Sequence, residues 1–263
     1  MRVLCVGDVC GSGGCEYAAK MLPKIKREEN IDFIIVNGEN SADGNGITPQ
    51  SANYLFSCGA DVITGGNHTL RRREIHEMLD SNEYLLRPHN VNTNYGRGYC
   101  LVDLGKTQAA VINLSGQIYL ERTAASNPFE AADELIKRVE DDGAKLIFVD
   151  FHSEATSEKR ALGFYLDGRI TALFGTHTHI QTADAQVLPN GTGYITDLGM
   201  TGPAQSVLGV KKEIIIDRLK NGTHEKFELA EGESEINGCI FEVDIKTGKT
   251  LGVKPINYRE VAK

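Results

Sequence analysis

The feature that most restricts this chain is a repeated local pattern. A short, wholly apolar run is followed by a turn of glycine and polar residues, and then by a stretch with helical spacing. RVLCV (2–6) precedes GDVCGSGG, DFIIV (32–36) precedes NGENSADGNG, and DVIT (61–64) precedes GGNHT. KLIFV (145–149) precedes DFHSEA, and ITALF (170–174) precedes GTHTH. Unbroken runs of β-favouring residues read as strands buried on both faces. Between them, Glu16 to Arg27, Pro49 to about Ser57, Arg71 to Leu79, Phe129 to Glu140 and Ser157 to Leu166 carry helical spacing. Pro49 suits a first helical turn. The repetition predicts an α/β protein. Taken by themselves, the residues read as a parallel sheet with helices on both faces. Gly7 to Gly14 reads as a glycine-rich loop.

After Asn90 the pattern changes. Tyr99 to Leu104 and Gln108 to Asn113 predict a hairpin, and the segment from Leu114 to Pro128 is irregular. From Ala185 onward strands are expected at Gln186 to Leu188, Gly193 to Ile195, Lys226 to Ala230, Ile236 to Asp244 and Thr250 to Ile256. A short helix is expected near Lys211 to Leu219. No repeat or linker breaks the chain, so one domain over 1–263 is expected, with room for a small insertion within 90–130.

Composition excludes several classes. The formal charge is 28 − 36 = −8, which argues against coating long nucleic acid. It leaves a small anionic substrate open, because bound cations reverse a local field. No apolar stretch reaches the ~18 residues of a membrane span, and the N-terminal apolar run is short for a signal peptide. Cys5, Cys10, Cys15, Cys58, Cys100 and Cys239 are scattered and match no zinc or iron–sulfur spacing. They read as reduced thiols of a cytoplasmic protein.

The chemistry collects directly behind the apolar runs. Asp8 follows the first; Glu39 and Asn40 the second; Asn67 and His68 the third; Asp150 and His152 the fourth; His177 and His179 the fifth. In an open parallel sheet such turns share one edge, where ligands bind. Carboxylate, amide and imidazole donors form a mixed oxygen and nitrogen set suited to iron, manganese or zinc rather than calcium. The two oxygens of Glu39 can bridge two cations. Singly, each residue reads as a turn or cap; the joint pattern points to metal. A dinucleotide reading of Gly11, Gly13 and Gly14 fails because Glu16 stands where the last glycine of GxGxxG belongs, and no P-loop lysine follows.

The ordered set GDVCG, NGEN, GGNHT, DFHSEATSEK and GTHTHIQTAD resembles calcineurin-like metallophosphoesterases, and more narrowly the bacterial YmdB-like group. LRPHN, VINLSGQ, ADELI and YITDLGMTGP extend the similarity over nearly the whole chain. The resemblance implies a four-layer αββα sandwich with mixed sheets and a dinuclear metal centre. It implies phosphodiesterase activity on small cyclic nucleotides, notably 2′,3′-cyclic ones. Carried over by position, the metal ligands are Asp8, Glu39, Asn40, Asn67, His152, His177 and His179. Glu39 would bridge; Asp8, Asn40 and His179 would complete one site, and Asn67, His152 and His177 the other. His68 would be the catalytic proton donor. Two ions per chain are expected, iron first, with manganese or magnesium as other occupants, and the group is compatible with a homo-oligomer. Cys10 departs from the superfamily's DxH motif and reads as a small residue packed under the loop.

The mechanism so implied is attack by a hydroxide held between two ions, with His68 protonating the leaving ribose oxygen. A nucleotide-sensing regulatory protein with slow turnover, or a phosphomonoesterase, would use the same ligands. A nuclease acting on long chains is disfavoured by the charge. Arg71, Arg72 and Arg73 read as a solvated face, and Tyr119, His89 and the 114–128 loop are candidates for shaping the substrate pocket.

Overall fold

The computed structural model describes residues 1–120 and 124–260. Its strands are β1 (Arg2–Val6), β2 (Asp8–Val9), β3 (Phe33–Asn37), β4 (Val62–Thr64), β5 (Tyr99–Asp103), β6 (Gln108–Ser115) and β7 (Leu146–His152). They continue with β8 (Ala172–Thr176), β9 (Gln186–Val187), β10 (Gly193–Ile195), β11 (Met200–Pro203), β12 (Ser234–Val243) and β13 (Thr250–Arg259). The helices are α1 (Gly11–Glu28), α2 (Pro49–Ser57), α3 (His76–Ser81), α4 (Pro128–Asp141), α5 (Thr156–Tyr165) and α6 (Lys212–Asn221).

The strands build two mixed sheets. The first runs β2-β11-β12-β1-β3-β4, with β13 also paired to β12. The second runs β5-β6-β7-β8-β10-β9. Each holds a parallel block, β1-β3-β4 in one and β6-β7-β8-β10 in the other. Side-chain alternation explains the layers. In β1, Val3 and Cys5 join Phe33, Ile35, Phe148, Phe174 and Phe241 between the sheets. Leu4 and Val6 face the other way, onto Leu22 and Ile25 of α1 and Leu55 of α2. In the second sheet Val111 and Phe148 point inward, while Ile112, Val149 and Phe151 pack on Leu135 and Val139 of α4 and Leu162 of α5.

The result is four layers, α–β–β–α. Each sheet is therefore covered by helices on one face only, not on both. A doubly apolar strand demands two covers, and a second sheet serves as well as a helix layer.

Other segments also depart from expectation. The glycine-rich stretch is not a loop: α1 already begins at Gly11, and a Cβ on Gly14 would collide with the Thr201 carbonyl of β11. Arg71 to Leu79 is two 3-10 turns, Thr69–Arg71 and Arg73–Ile75, leading into α3. Lys226 to Ala230 forms no strand and contributes a single bridge, Leu229 to Val210. The two-residue β2 and the short β11, which pair with each other, were too brief to be anticipated. Pro49–Ser57 falls where predicted, because Thr48 and Ser51 form a capping box ahead of it. Among the described residues no helix is long and apolar enough to cross a membrane. All six cysteines are free thiols.

Candidate metal centre

The parallel blocks of the two sheets end at a common rim. There the structure brings together all eight residues named from the sequence, each touching at least one other. His152, at the end of β7, is the hub. Its Nε2 lies 2.9 Å from Asn67 Oδ1, 3.0 Å from His177 Nδ1 and 3.3 Å from Glu39 Oε1. Its Nδ1 faces Thr176 Oγ1 at 2.9 Å, and that hydroxyl donates to Asp150 Oδ1 at 2.7 Å. Asp150 is fully buried and also accepts from Thr64 and Asn37. In the neutral ring this relay would keep the proton on Nδ1 and leave the Nε2 lone pair facing the rim.

On the other side of Glu39 stand Asp8, Asn40 and His179. His179 Nε2 is 3.7 Å from Asp8 Oδ1 and 3.2 Å from Asn40 Nδ2. Asn40 Nδ2 donates to Glu39 Oε1 at 3.0 Å, and Asn40 Oδ1 meets His68 Nδ1 at 2.8 Å. His68 also donates its backbone N–H to Glu39 Oε2 at 2.9 Å. Its ring lines the cleft, with 26% of the side chain exposed.

Whether these residues suit a cation follows from counting lone pairs. His152 Nε2 carries at most one hydrogen but faces three acceptors. Asp8 Oδ1 is buried with no hydrogen-bond partner, and the His179 nitrogen that faces it, Nε2, accepts from the Asn40 amide. A buried surplus of acceptors is costly unless positive charge sits among them. A proton can answer part of that need. Burial disfavours the His152 imidazolium, but the carboxylates of Glu39, Asp8 and Asp150 overcome it and push its pKa up to about 9. Burial likewise opposes the Glu39 anion, yet His152 and His68 hold its carboxyl well below the usual range. His177 is driven down to about 3, first by burial and then by the His152 charge, so its nitrogen stays a lone-pair donor. Burial raises Asp8 above the ordinary carboxyl range, against the pull of His179 and His152. Glu39, His152 and His177 form a group able to hold a metal ion, with donor atoms within 4.8 Å of one another. The residues fit a metal.

Local backbone makes the crowding feasible. A Cβ on Gly66, just before Asn67, would collide with Glu39 Oε2 and His152 Nε2. His177 (φ 97°) and His179 (φ 63°) both adopt left-handed backbone, which costs roughly 1–3 kcal/mol each. Thr178 between them is tied down from below. Asp197 Oδ2 accepts its N–H at 3.1 Å and its hydroxyl at 2.7 Å, and takes an ion pair from Lys159 at 2.7 Å. Lys159 and Asp197 are fully buried. Both lie inside motifs quoted from the sequence, yet nothing in their spacing marked them as partners. Glu154, also unforeseen, pairs with the outer nitrogen of His177 at 3.0 Å and lines the cleft.

Other residues do not join the site. Cys10 is 2% exposed and its thiol is pushed up to about 12, first by burial and then by Asp8. It packs under Gly44 and Gly209 rather than facing a metal as a thiolate. Tyr119 and His89 are not among the residues lining the cleft. The 114–128 loop is described only in part, since 121–123 lie outside the described residues. Arg71 and Arg73 are exposed, and Arg72 bonds to Asp43 and to the Asn45 carbonyl.

Two helix-backed mixed sheets with this donor set at their shared rim define a metallophosphoesterase-type sandwich. Comparison with known proteins narrows the class. The YmdB-like protein family matches residues 4–256. A 2′,3′-cyclic-nucleotide 2′-phosphodiesterase of Bacillus subtilis is 44% identical over 260 residues, covering 97% of this chain and 96% of that protein. The crystal structure of a novel phosphatase of Mycoplasma pneumoniae is 34% identical, with TM-score 0.93 over 98% of this chain and 93% of that one. A hypothetical protein of Thermus thermophilus is 35% identical, with TM-score 0.91 over 99% of this chain and 100% of that one. The chain belongs to the YmdB-like family.

Proposed function

We propose that this chain is a phosphodiesterase that uses two metal ions to hydrolyse small cyclic nucleotides, 2′,3′-cyclic nucleoside monophosphates above all. The observation that carries the proposal is the crowding of acceptors around Glu39: His152 Nε2 faces Asn67, His177 and Glu39 itself, Asp8 Oδ1 is buried without a partner, and Glu39, His177 and His179 open into a cleft of about 200 Å³. In this reading Asp8, Asn40 and His179 would hold one ion and Asn67, His152 and His177 the other, with Glu39 shared between them. Iron is the first occupant to test, then manganese and magnesium. Bound metal would supply activation of water near neutral pH and neutralisation of the phosphate charge. The remaining work belongs to the chain. His68, whose Nδ1 is anchored on Asn40 and whose ring lines the cleft, would protonate the leaving ribose oxygen through its second nitrogen. The family relative named for 2′,3′-cyclic nucleotides supports the substrate class. The unpaired thiols support a cytoplasmic location.

The test is metal analysis of the purified protein, then assay of the iron-, manganese- and magnesium-loaded forms on 2′,3′-cyclic nucleotides. Multiple turnover to a nucleoside 3′-monophosphate is expected. Tight binding with a single slow turnover would instead favour a nucleotide sensor.

A further inference from the structure

Of the residues that line the metal cleft, Leu208 is the one large apolar side chain, and its backbone is the anomaly. Val207 and Val210 exchange both backbone hydrogen bonds, at 2.9 and 3.0 Å, closing a two-residue hairpin turn. Leu208 and Gly209 at its tip have φ of +54° and +89°, the sign pattern of a type I′ turn. Glycine, asparagine and aspartate populate that first position; a branched apolar residue there is strained. Here leucine holds it while remaining 49% exposed, so neither turn chemistry nor core burial accounts for the residue.

The turn is also held firmly. Gly209 packs so closely on Cys10 that a Cβ would collide with the sulfur. The Gly209 carbonyl accepts from Ala230 N–H at 2.9 Å, and its N–H donates to Ser206 Oγ at 3.0 Å. Cys10, which departs from the superfamily pattern, therefore sets the floor on which this turn rests. The same cleft is lined by His177 and His179, proposed metal ligands, and by the candidate proton donor His68.

Size decides what the leucine meets. A cleft of about 200 Å³ is smaller than the usual ~300–1,000 Å³ of small-molecule pockets. It suits the phosphate and the sugar edge next to it, and leaves the rest of a nucleotide at the rim. We propose that Leu208 is a specificity residue that packs against the nucleobase of the substrate. The proposal rests on the phosphodiesterase reading above and extends it to the organic part of the substrate. The apolar face of a base gains from covering Leu208, whereas a sugar phosphate without a base has nothing to place there.

The experiment compares a 2′,3′-cyclic nucleotide with ribose 2′,3′-cyclic phosphate, which keeps the reacting group and lacks the base. Leu208→Asn suits the test because asparagine favours left-handed backbone, so its melting temperature should not fall. In the metal-loaded enzyme it should lower the ratio of kcat/KM, nucleotide over base-free diester, by roughly fivefold or more, mainly through KM for the nucleotide. Leu208→Met should keep the wild-type ratio. An unchanged ratio in Leu208→Asn, or an equal fall in Leu208→Met, overturns the assignment while leaving the phosphodiesterase reading intact. Failure of the wild-type enzyme to hydrolyse either diester would overturn both.

Discussion

Glu39 separates two unlike halves of one centre. On the His152 side the ring is held from behind: Nδ1 meets Thr176, Thr176 meets Asp150, and Asp150 is tied to Asn37 and Thr64. On the Asp8 side a buried carboxylate oxygen, Asp8 Oδ1, has no hydrogen-bond partner. The first half is braced from behind by a chain of hydrogen bonds; in the second, Asp8 Oδ2 accepts the His177 N–H while Oδ1 keeps a lone pair that a cation would satisfy. The contrast teaches that a metal site need not be pre-organised evenly. A firm half fixes position, and an unsatisfied half supplies affinity for charge.

The largest expected effect lies in the unsatisfied half. Asp8→Asn should cut turnover by about 10³-fold or more, since it removes the charge of a proposed metal ligand. The same change should leave the melting temperature of chelator-treated protein level or higher, because a buried anion with an unpaired oxygen is gone. A lower melting temperature in chelator would mean that Asp8 is already satisfied, and the contrast would fail.

Next in size is His68, which belongs to neither half. His68→Ala should lose about 10²–10⁴ in kcat on a cyclic nucleotide. It should lose much less on a nitrophenyl ester, whose leaving group departs without a proton, and should keep its metal content. Equal losses on both substrates, or loss of metal, would recast His68 as a support for Asn40.

The smaller effect lies in the firm half. Thr176→Val breaks the relay behind His152 and should weaken metal binding on that side about 10–100-fold. Titration with metal should resolve one weakened and one unaltered site. Equal weakening of both would show that the halves are not separately built.

Much of this was legible in the sequence because the rim residues sit directly behind apolar runs. A strand that is apolar on both faces must be buried, and parallel neighbours deliver their ends to one edge. Asp8, Glu39, Asn67, His152 and His177 needed only that argument to be placed together. The layer arrangement did not follow from the runs, since Val3 and Leu4 look alike whether helix or sheet covers them. Short pairings between distant segments, such as Met200 with Asp8, leave no periodicity to read. Lys159 resembles any helix lysine until Asp197, 38 positions on, is brought against it. Leu208 was invisible for the opposite reason: what distinguishes it is a backbone angle, not a residue type.

The most direct test of the account is the number of metal ions per chain, measured on wild-type protein and on Glu39→Gln in parallel. The account predicts about two in the wild type, falling to one or none when the carboxylate shared by both halves becomes an amide. Two ions retained by Glu39→Gln, or a wild-type protein that never exceeds one, would contradict it.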